Sequence, residues 1–259
     1  MLLGRPVLVF HRSRGPAALY VARHGESEGN VARDLAESQG LPFIDIVERD
    51  MDVRLSQNGE RQAAALGRWL KRLGRRRPSL ALASPYVRAA STAQIALDAG
   101  GLSRVPLVLD ERLREREFGL LDRLTKVGIQ ERFPEQAEAR ARVGKFYHRP
   151  PGGESWCDVA LRVRTVLDTM ADEYDGERIL VVSHEVVVLQ FCYVIERMTE
   201  QEILATASEH QLANCSVTSF VGDRRRRTGA MRLEQFGVVT SDDHRAPVTN
   251  EPDVSVAAH

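Results

Sequence analysis

Short apolar runs alternate along the chain with longer stretches in which apolar residues recur every three or four positions. Leu19-Tyr20-Val21-Ala22, Leu80-Ala81-Leu82-Ala83, Pro106-Leu107-Val108-Leu109 and Ile179-Leu180-Val181-Val182 are runs of the first kind, the mark of buried strands. Between them lie helical patterns. Ser56 is placed to cap a helix running through Arg61, Ala65, Leu66, Trp69 and Leu70. Ser84-Pro85 reads as an N-cap followed by proline at the first helical position, opening a helix over residues 86–97. Ser155, with Asp158 placed for a capping box, opens a long helix whose Trp156, Val159, Val163, Val166, Leu167 and Met170 share one face. A further helix is expected over residues 186–197, and residues 216–221 and 231–236 read as a closing hairpin. The alternation predicts an α/β fold, a three-layer α/β/α sandwich with a mostly parallel central sheet covered on both faces.

No internal repeat and no linker rich in Pro, Gly or Ser divides this pattern. We expect an N-terminal extension over residues 1–15, a single domain over 16–239 and a flexible tail over 240–259, where periodicity ceases. Two of the strand-like runs stop at a histidine. The first leads into Arg23-His24-Gly25-Glu26-Ser27, the second into Ser183-His184-Glu185. Open α/β sheets bind ligands at the carboxyl ends of their strands, so two histidines delivered there from distant segments point to one reactive site.

Composition narrows the partners. Of 259 residues, 43% are hydrophobic and 28% charged, as in a globular domain with a core, and the formal net charge is zero. No whole-molecule field therefore favours nucleic acid or an anionic membrane. The local runs Arg75-Arg76-Arg77 and Arg224-Arg225-Arg226-Arg227 read as solvated turns. Three cysteines, Cys157, Cys192 and Cys215, without a Cys-x-x-Cys pair argue against a disulfide framework and a zinc site. Residues 2–10 are broken by Gly4, Arg5 and Pro6 and are too short for a membrane span. A cytoplasmic protein is expected, with a small phosphorylated substrate, no nucleic-acid or membrane partner, and a homodimer left open.

Arg23-His24-Gly25-Glu26-Ser27, with Asn30 behind it, resembles the signature of the histidine phosphatase superfamily, the phosphoglycerate mutase-like proteins. Further blocks follow in that family's order: Leu55 to Ala63, Ser84-Pro85-Tyr86-Val87-Arg88-Ala89, Leu113 to Gly119, Pro151-Gly152-Gly153-Glu154-Ser155 and Ser183-His184. The resemblance covers residues 18–236. It implies a phosphoglycerate mutase-like fold and a phosphomonoesterase in which His24 is the nucleophile and forms a phosphohistidine. Arg23 and Arg88 would supply planar paired donors to the phosphoryl oxygens, and His184 a third, cationic when protonated. Gly25 would leave room for phosphate beside the backbone, and Asn30 would hydrogen-bond the phosphoryl group. Glu115 stands where the family keeps its acid, in Leu-x-Glu-x-x-x-Gly; Glu111, Glu117 and Asp122 lie nearby. No metal and no other cofactor is implied. Ser27 and Ser183 lie in no Gly-x-Ser-x-Gly elbow and are not read as nucleophiles.

Three features bear on the branch of the family. The stretch between Glu115 and Pro151 is short and mostly helical, where mutases carry a long insertion that encloses a bisphosphate. This favours hydrolysis. Glu185 follows His184 where mutases usually have Gly-Asn, a position similar to the His-Gln of the fructose-2,6-bisphosphatase branch. A carboxylate there repels a phosphate dianion unless it turns away or pairs with an arginine. Tyr147 and Arg149, in Lys145 to Pro150, are similar to a phosphate-contacting segment of that same branch. A cofactor-dependent phosphoglycerate mutase, a fructose-2,6-bisphosphatase-like enzyme and a non-catalytic phospho-ligand sensor stay open as alternatives. The loop between Asn30 and Asp52 is longer than in short family members and reads either as substrate rim or as an exposed helical insertion without a catalytic role.

Overall fold

The computed structural model describes residues 15–222 and 231–240. Six strands form one sheet in the order β3-β2-β4-β1-β5-β6. At its centre lie β1 (Ala18–Arg23) and β4 (Arg178–Ser183), paired in parallel so that Arg23 stands beside Ser183. On one side β2 (Leu80–Ala83) and β3 (Leu107–Leu109) continue the parallel part. On the other, β5 (Val217–Gly222) and β6 (Met231–Val238) close it antiparallel, as the hairpin pattern predicts. The second arginine run, residues 1–14 and residues 241–259 lie outside the described residues. Thr240, set at the start of the tail, is buried and donates its hydroxyl to the carbonyl of Cys215, so the domain includes it.

Alternation along the central strands divides the core into two. Leu19, Val21, Ile179 and Val181 face α6 (Trp156–Glu173) and α7 (Glu185–Ile195), packing with Trp156, Val163, Val187 and Phe191. Ala18, Tyr20, Ala22, Leu180 and Val182 face the opposite side, with Leu66 and Leu70 of α2 (Gln57–Arg72) and Ala89 and Ala93 of α3 (Val87–Ala99). Both faces of β1 are thus buried, which is why its sequence is apolar without alternation. The expected capping boxes and caps are present: Ser56 on α2, and Ser155 with Asp158 on α6.

One expected helix start differs. The N-cap of α3 is Tyr86, not Ser84, and Pro85 precedes the helix. The Ser84 hydroxyl is committed elsewhere, to His184. The pattern also passes over several helices. α1 (Glu28–Ser38) begins at a Ser27–Asn30 capping box directly behind the first histidine. α8 (Glu200–Glu209) is capped by Thr199 and Glu202, while α4 (Lys126–Arg132) and α5 (Pro134–Val143) make the stretch between Glu115 and Pro151 mostly helical, as expected. Among the described residues no helix is long and apolar enough to cross a membrane. Cys192 and Cys215 are buried thiols whose pKa burial raises, and all three cysteines are free.

Candidate active site

Because β1 and β4 are adjacent and parallel, their carboxyl ends bring His24 and His184 together, with ring centroids 5.1 Å apart. Both imidazoles are buried. Burial, followed by the positive charges of Arg88 and Arg23, holds the pKa of His24 well below the ordinary histidine value. His24 is therefore neutral at pH 7. Its Nδ1 lies 2.7 Å from the carbonyl of Gly25, which assigns the proton to that nitrogen and leaves Nε2 with a lone pair. A neutral imidazole with a fixed tautomer in a cationic pocket is a nucleophile suited to an anionic electrophile.

The loop behind it is held from several sides. The amide of Asn214 donates to the His24 carbonyl at 3.0 Å, and the Gly25 N–H donates to Thr92 Oγ1 at 3.0 Å. Thr92 in turn donates to the carbonyl of Arg88, so the His24 loop and Arg88 are tied through α3. The Glu26 carboxylate accepts from Ser56 and Asn58. A Cβ on Gly25 would stand 2.6 Å from the carbonyl oxygen of Gly59, and one on Gly59 only 1.9 Å from that of Glu26. The expectation that Gly25 leaves room for phosphate is thereby corrected. Its missing side chain admits the Gly59 backbone of α2, and this close approach explains the block Leu55 to Ala63.

Around the imidazoles the cations are partly neutralised. Arg23 is buried, with Nη1 donating to the Leu212 carbonyl and standing 3.3 Å from the carboxylate of Glu185. Glu185 thus pairs with an arginine, the condition under which a carboxylate is tolerated there. Arg88 is buried in α3 and forks onto Asp50, with Nη2 3.1 Å from Oδ2 and Nη1 3.0 Å from Oδ1. Asp50 belongs to the loop after α1, so that loop reaches the site. His184 Nε2 lies 2.9 Å from Ser84 Oγ, which also accepts from the Tyr86 N–H. The His184 ring thus meets Ser84 through Nε2 and turns Nδ1 toward Glu115. Burial, then Arg88 and His24, hold His184 neutral as well, so the cationic form expected of it is not the resting one.

Glu115 reaches the same pocket, its Oε2 3.7 Å from His184 Nδ1 and its Oε1 accepting from the N–H of Arg116. The segment that carries it is clamped from α6. Arg162 donates to the carbonyls of Arg112 and Glu115 and to the carboxylate of Glu154, which also binds Arg114. Glu117 turns away and accepts from the Tyr86 hydroxyl at 2.8 Å. Asn30 lines the pocket, but its Oδ1 is taken by the N–H and hydroxyl of Ser27, so its amide N–H groups are what it can offer an anion. Ser27 caps α1, and Ser183 donates to the carbonyl of Leu113.

Tyr147 and Arg149 are not brought to this site. Tyr147 is 54% exposed with its ring against Phe146, and the guanidinium of Arg149 forks onto Asp158 at the start of α6. The sequence reading missed Asp50, Ser84, Thr92, Asn214 and Arg162. Only Ser84 sat in a recognised block, and its capping signal masked its contact with His184. Among the described residues no group of three or more His, Cys, Asp or Glu is placed to hold a metal ion.

The family model described as the histidine phosphatase superfamily (branch 1) matches residues 19–232. A 2,3-bisphosphoglycerate-dependent phosphoglycerate mutase of Methylobacterium radiotolerans is 33% identical over 187 residues, covering 71% of this chain and 82% of the relative. Among solved structures, Bacillus stearothermophilus YhfR is 26% identical with a TM-score of 0.66, covering 86% of this chain and 97% of that one. A mycobacterial glucosyl-3-phosphoglycerate phosphatase in complex with VO3 is 25% identical with a TM-score of 0.66, covering 86% of this chain and 99% of that one.

Proposed function

Since the chain belongs to the histidine phosphatase superfamily, we propose that it is a phosphomonoesterase that hydrolyses small phosphorylated metabolites through a phosphohistidine on His24. The observation that carries this reading is the neutral His24, with Nε2 free, beside Arg23, Arg88 and His184 and across from Glu115. In the first step Nε2 attacks phosphorus while the bond to the ester oxygen breaks. Protonated Glu115 gives its proton to that oxygen, and the alcohol leaves. In the second step the Glu115 carboxylate takes a proton from water, whose oxygen attacks phosphorus. The P–N bond breaks and inorganic phosphate is released. Arg23, Arg88 and His184 stabilise the charge that spreads over the equatorial oxygens, so the chemistry calls for no metal.

A phosphoglycerate mutase is the second reading, favoured by the name of the curated relative. Against it stands the short connection between Glu115 and Pro151, which holds only the two short helices α4 and α5. A fructose-2,6-bisphosphatase-like activity loses the support it drew from Tyr147 and Arg149, which lie away from the pocket.

Trapping with labelled substrate tests the proposal. Wild type is expected to give an acid-labile phosphoenzyme and release phosphate at a rate unchanged by EDTA, and His24→Ala to do neither. Glu115→Gln is expected to lose most activity on alkyl phosphates and much less on p-nitrophenyl phosphate, whose leaving group needs little protonation. Phosphate release by His24→Ala near the wild-type rate contradicts the mechanism. Efficient transfer between the 2- and 3-positions of phosphoglycerate replaces the phosphatase by the mutase.

A further inference from the structure

The pocket that holds His24, Arg23, Arg88 and Glu115 is also lined by Ile44, Ile46, Val53, Phe118, Leu121 and Leu124. This half of the pocket is built by two segments that the catalytic chemistry does not require. Residues 41–48, in the loop after α1, run beside residues 121–125. Ile44 donates its N–H to the carbonyl of Arg123 at 2.9 Å, Thr125 donates its N–H to that of Pro42 at 3.1 Å, and Phe43 and Leu124 form an antiparallel bridge. Extended backbone alternates its side chains. Phe43 and Val47 are exposed, whereas Ile44 and Ile46 are turned inward and half-buried on the pocket. The wall is fixed rather than loose. The Arg123 guanidinium donates to the carbonyls of Ile46 at 3.0 Å and Glu48 at 2.9 Å, and Arg123 itself holds φ 59°.

The charges in this half are unsuited to a second anion. Asp50 and Asp122 line it, and the donors of Arg123 face backbone carbonyls. Arg33 also lines the pocket, and its charge adds a small part to the lowering of the His24 pKa.

We infer that the substrate's leaving group is an uncharged, largely apolar alcohol seated against Ile44, Ile46, Val53, Phe118, Leu121 and Leu124. This inference rests on the phosphomonoesterase reading and adds the class of ester. Sugar phosphates and phosphoglycerates, whose leaving groups are heavily hydroxylated or anionic, fit this wall poorly.

Primary alkyl phosphates test it, because their leaving groups differ in length but hardly in acidity. The series therefore reports binding of the chain and not the ease of bond cleavage. A fully covered methylene changes affinity about fourfold. The value of kcat/KM is expected to rise about tenfold from ethyl to n-butyl phosphate and to exceed that for 3-phosphoglycerate. In the Ile44→Ser/Ile46→Ser double variant the butyl-to-ethyl ratio should fall to about two. A ratio is insensitive to the fraction of protein folded. A flat series in wild type, a preference for 3-phosphoglycerate, or an unchanged ratio in the double variant overturns the inference. If His24 still forms the labelled phosphoenzyme and that phosphoenzyme releases inorganic phosphate, the phosphatase reading survives. If no ester is cleaved and no phosphoenzyme forms, both fall.

Discussion

Asp50 occupies the guanidinium that a phosphoryl group needs, so its charge should set how tightly phosphate binds. Asp50→Asn removes the charge and keeps a carbonyl oxygen for Arg88. The Asp50 carboxylate lies 3.0 Å from Arg88 Nη1, and its side chain is 46% exposed against 6% for Arg88. A phosphate on the free side of the same guanidinium would lie about 5 Å from that carboxylate, where two unit charges repel by about 0.8 kcal/mol in water and about 3 kcal/mol at an effective dielectric constant of 20. The exposure of Asp50 selects the lower figure. A dianion doubles it to about 1.7 kcal/mol, and loss of that repulsion corresponds to between tenfold and twentyfold tighter binding. The assay is competitive inhibition by inorganic phosphate, in wild type and variant, at low and at high salt. The inhibition constant should fall about tenfold in Asp50→Asn at low salt. The gap should narrow as salt screens the pair. An inhibition constant that is unchanged or raised refutes the reasoning. It would mean that Asp50 holds Arg88 in its productive position and that this outweighs the repulsion.

The glycine packing gives a second test. In Gly59→Ala the new Cβ would sit 1.9 Å from the Glu26 carbonyl oxygen, and the contact is backbone on both sides. Such overpacking costs about 2 kcal/mol or more, so Tm should fall by about 6 °C and kcat should drop with it, because Glu26 is two residues from the nucleophile. Differential scanning calorimetry with unchanged Tm would remove the close approach from the account. The buried histidines give a third. His24 and His184 are held below their unfolded pKa of about 6.5, so between that value and their folded pKa the unfolded chain binds protons that the folded one refuses. Stability contributed by their neutrality is present above about pH 6.5 and is lost as pH falls, at up to about 2.7 kcal/mol per pH unit for the pair. Urea unfolding at several pH values should show a slope about 1.4 kcal/mol per unit shallower in His24→Asn; an identical slope contradicts the assignment.

The parallel core of the fold was legible because its strands are buried on both faces and its helices carry caps. Runs such as Ile179 to Val182 and the Ser155–Asp158 box need no tertiary information to be read. The helices that escaped notice lack that redundancy. α1 shares its first residues with the phosphate-binding signature, which drew attention to chemistry and away from the Ser27–Asn30 cap. α5 lies in a stretch that was read as helical, but it is amphipathic only weakly and buries none of its residues, so apolar periodicity could not fix its bounds. α8 did carry a readable cap in Thr199 and Glu202, and only Ile203 of its residues is fully buried.

The same division runs through the site. His24 and His184 were legible at the ends of β1 and β4, whose parallel pairing brings them together, whereas Arg23, Arg88 and Glu115 were legible through the blocks that resemble the family. What was not legible is everything set by contact between distant segments. Asp50 is 38 residues from Arg88, Ser84 is 100 from His184, and Asn214 is 190 from His24. None of these pairs has a local signature. They nevertheless shape the site: Ser84 meets the His184 imidazole, Asn214 holds the His24 carbonyl, and Asp50 answers part of the Arg88 guanidinium. Glu185 and Asp50 stand one on each of the arginines, Arg23 and Arg88, proposed to bind phosphate. The pocket is therefore not a bare cationic hole that any phosphate would fill. Phosphate must displace or outcompete two internal anions. The net attraction is smaller than the two arginines alone would give, so binding and discrimination fall more heavily on the alcohol side of the ester, where the loop after α1 has placed its isoleucines.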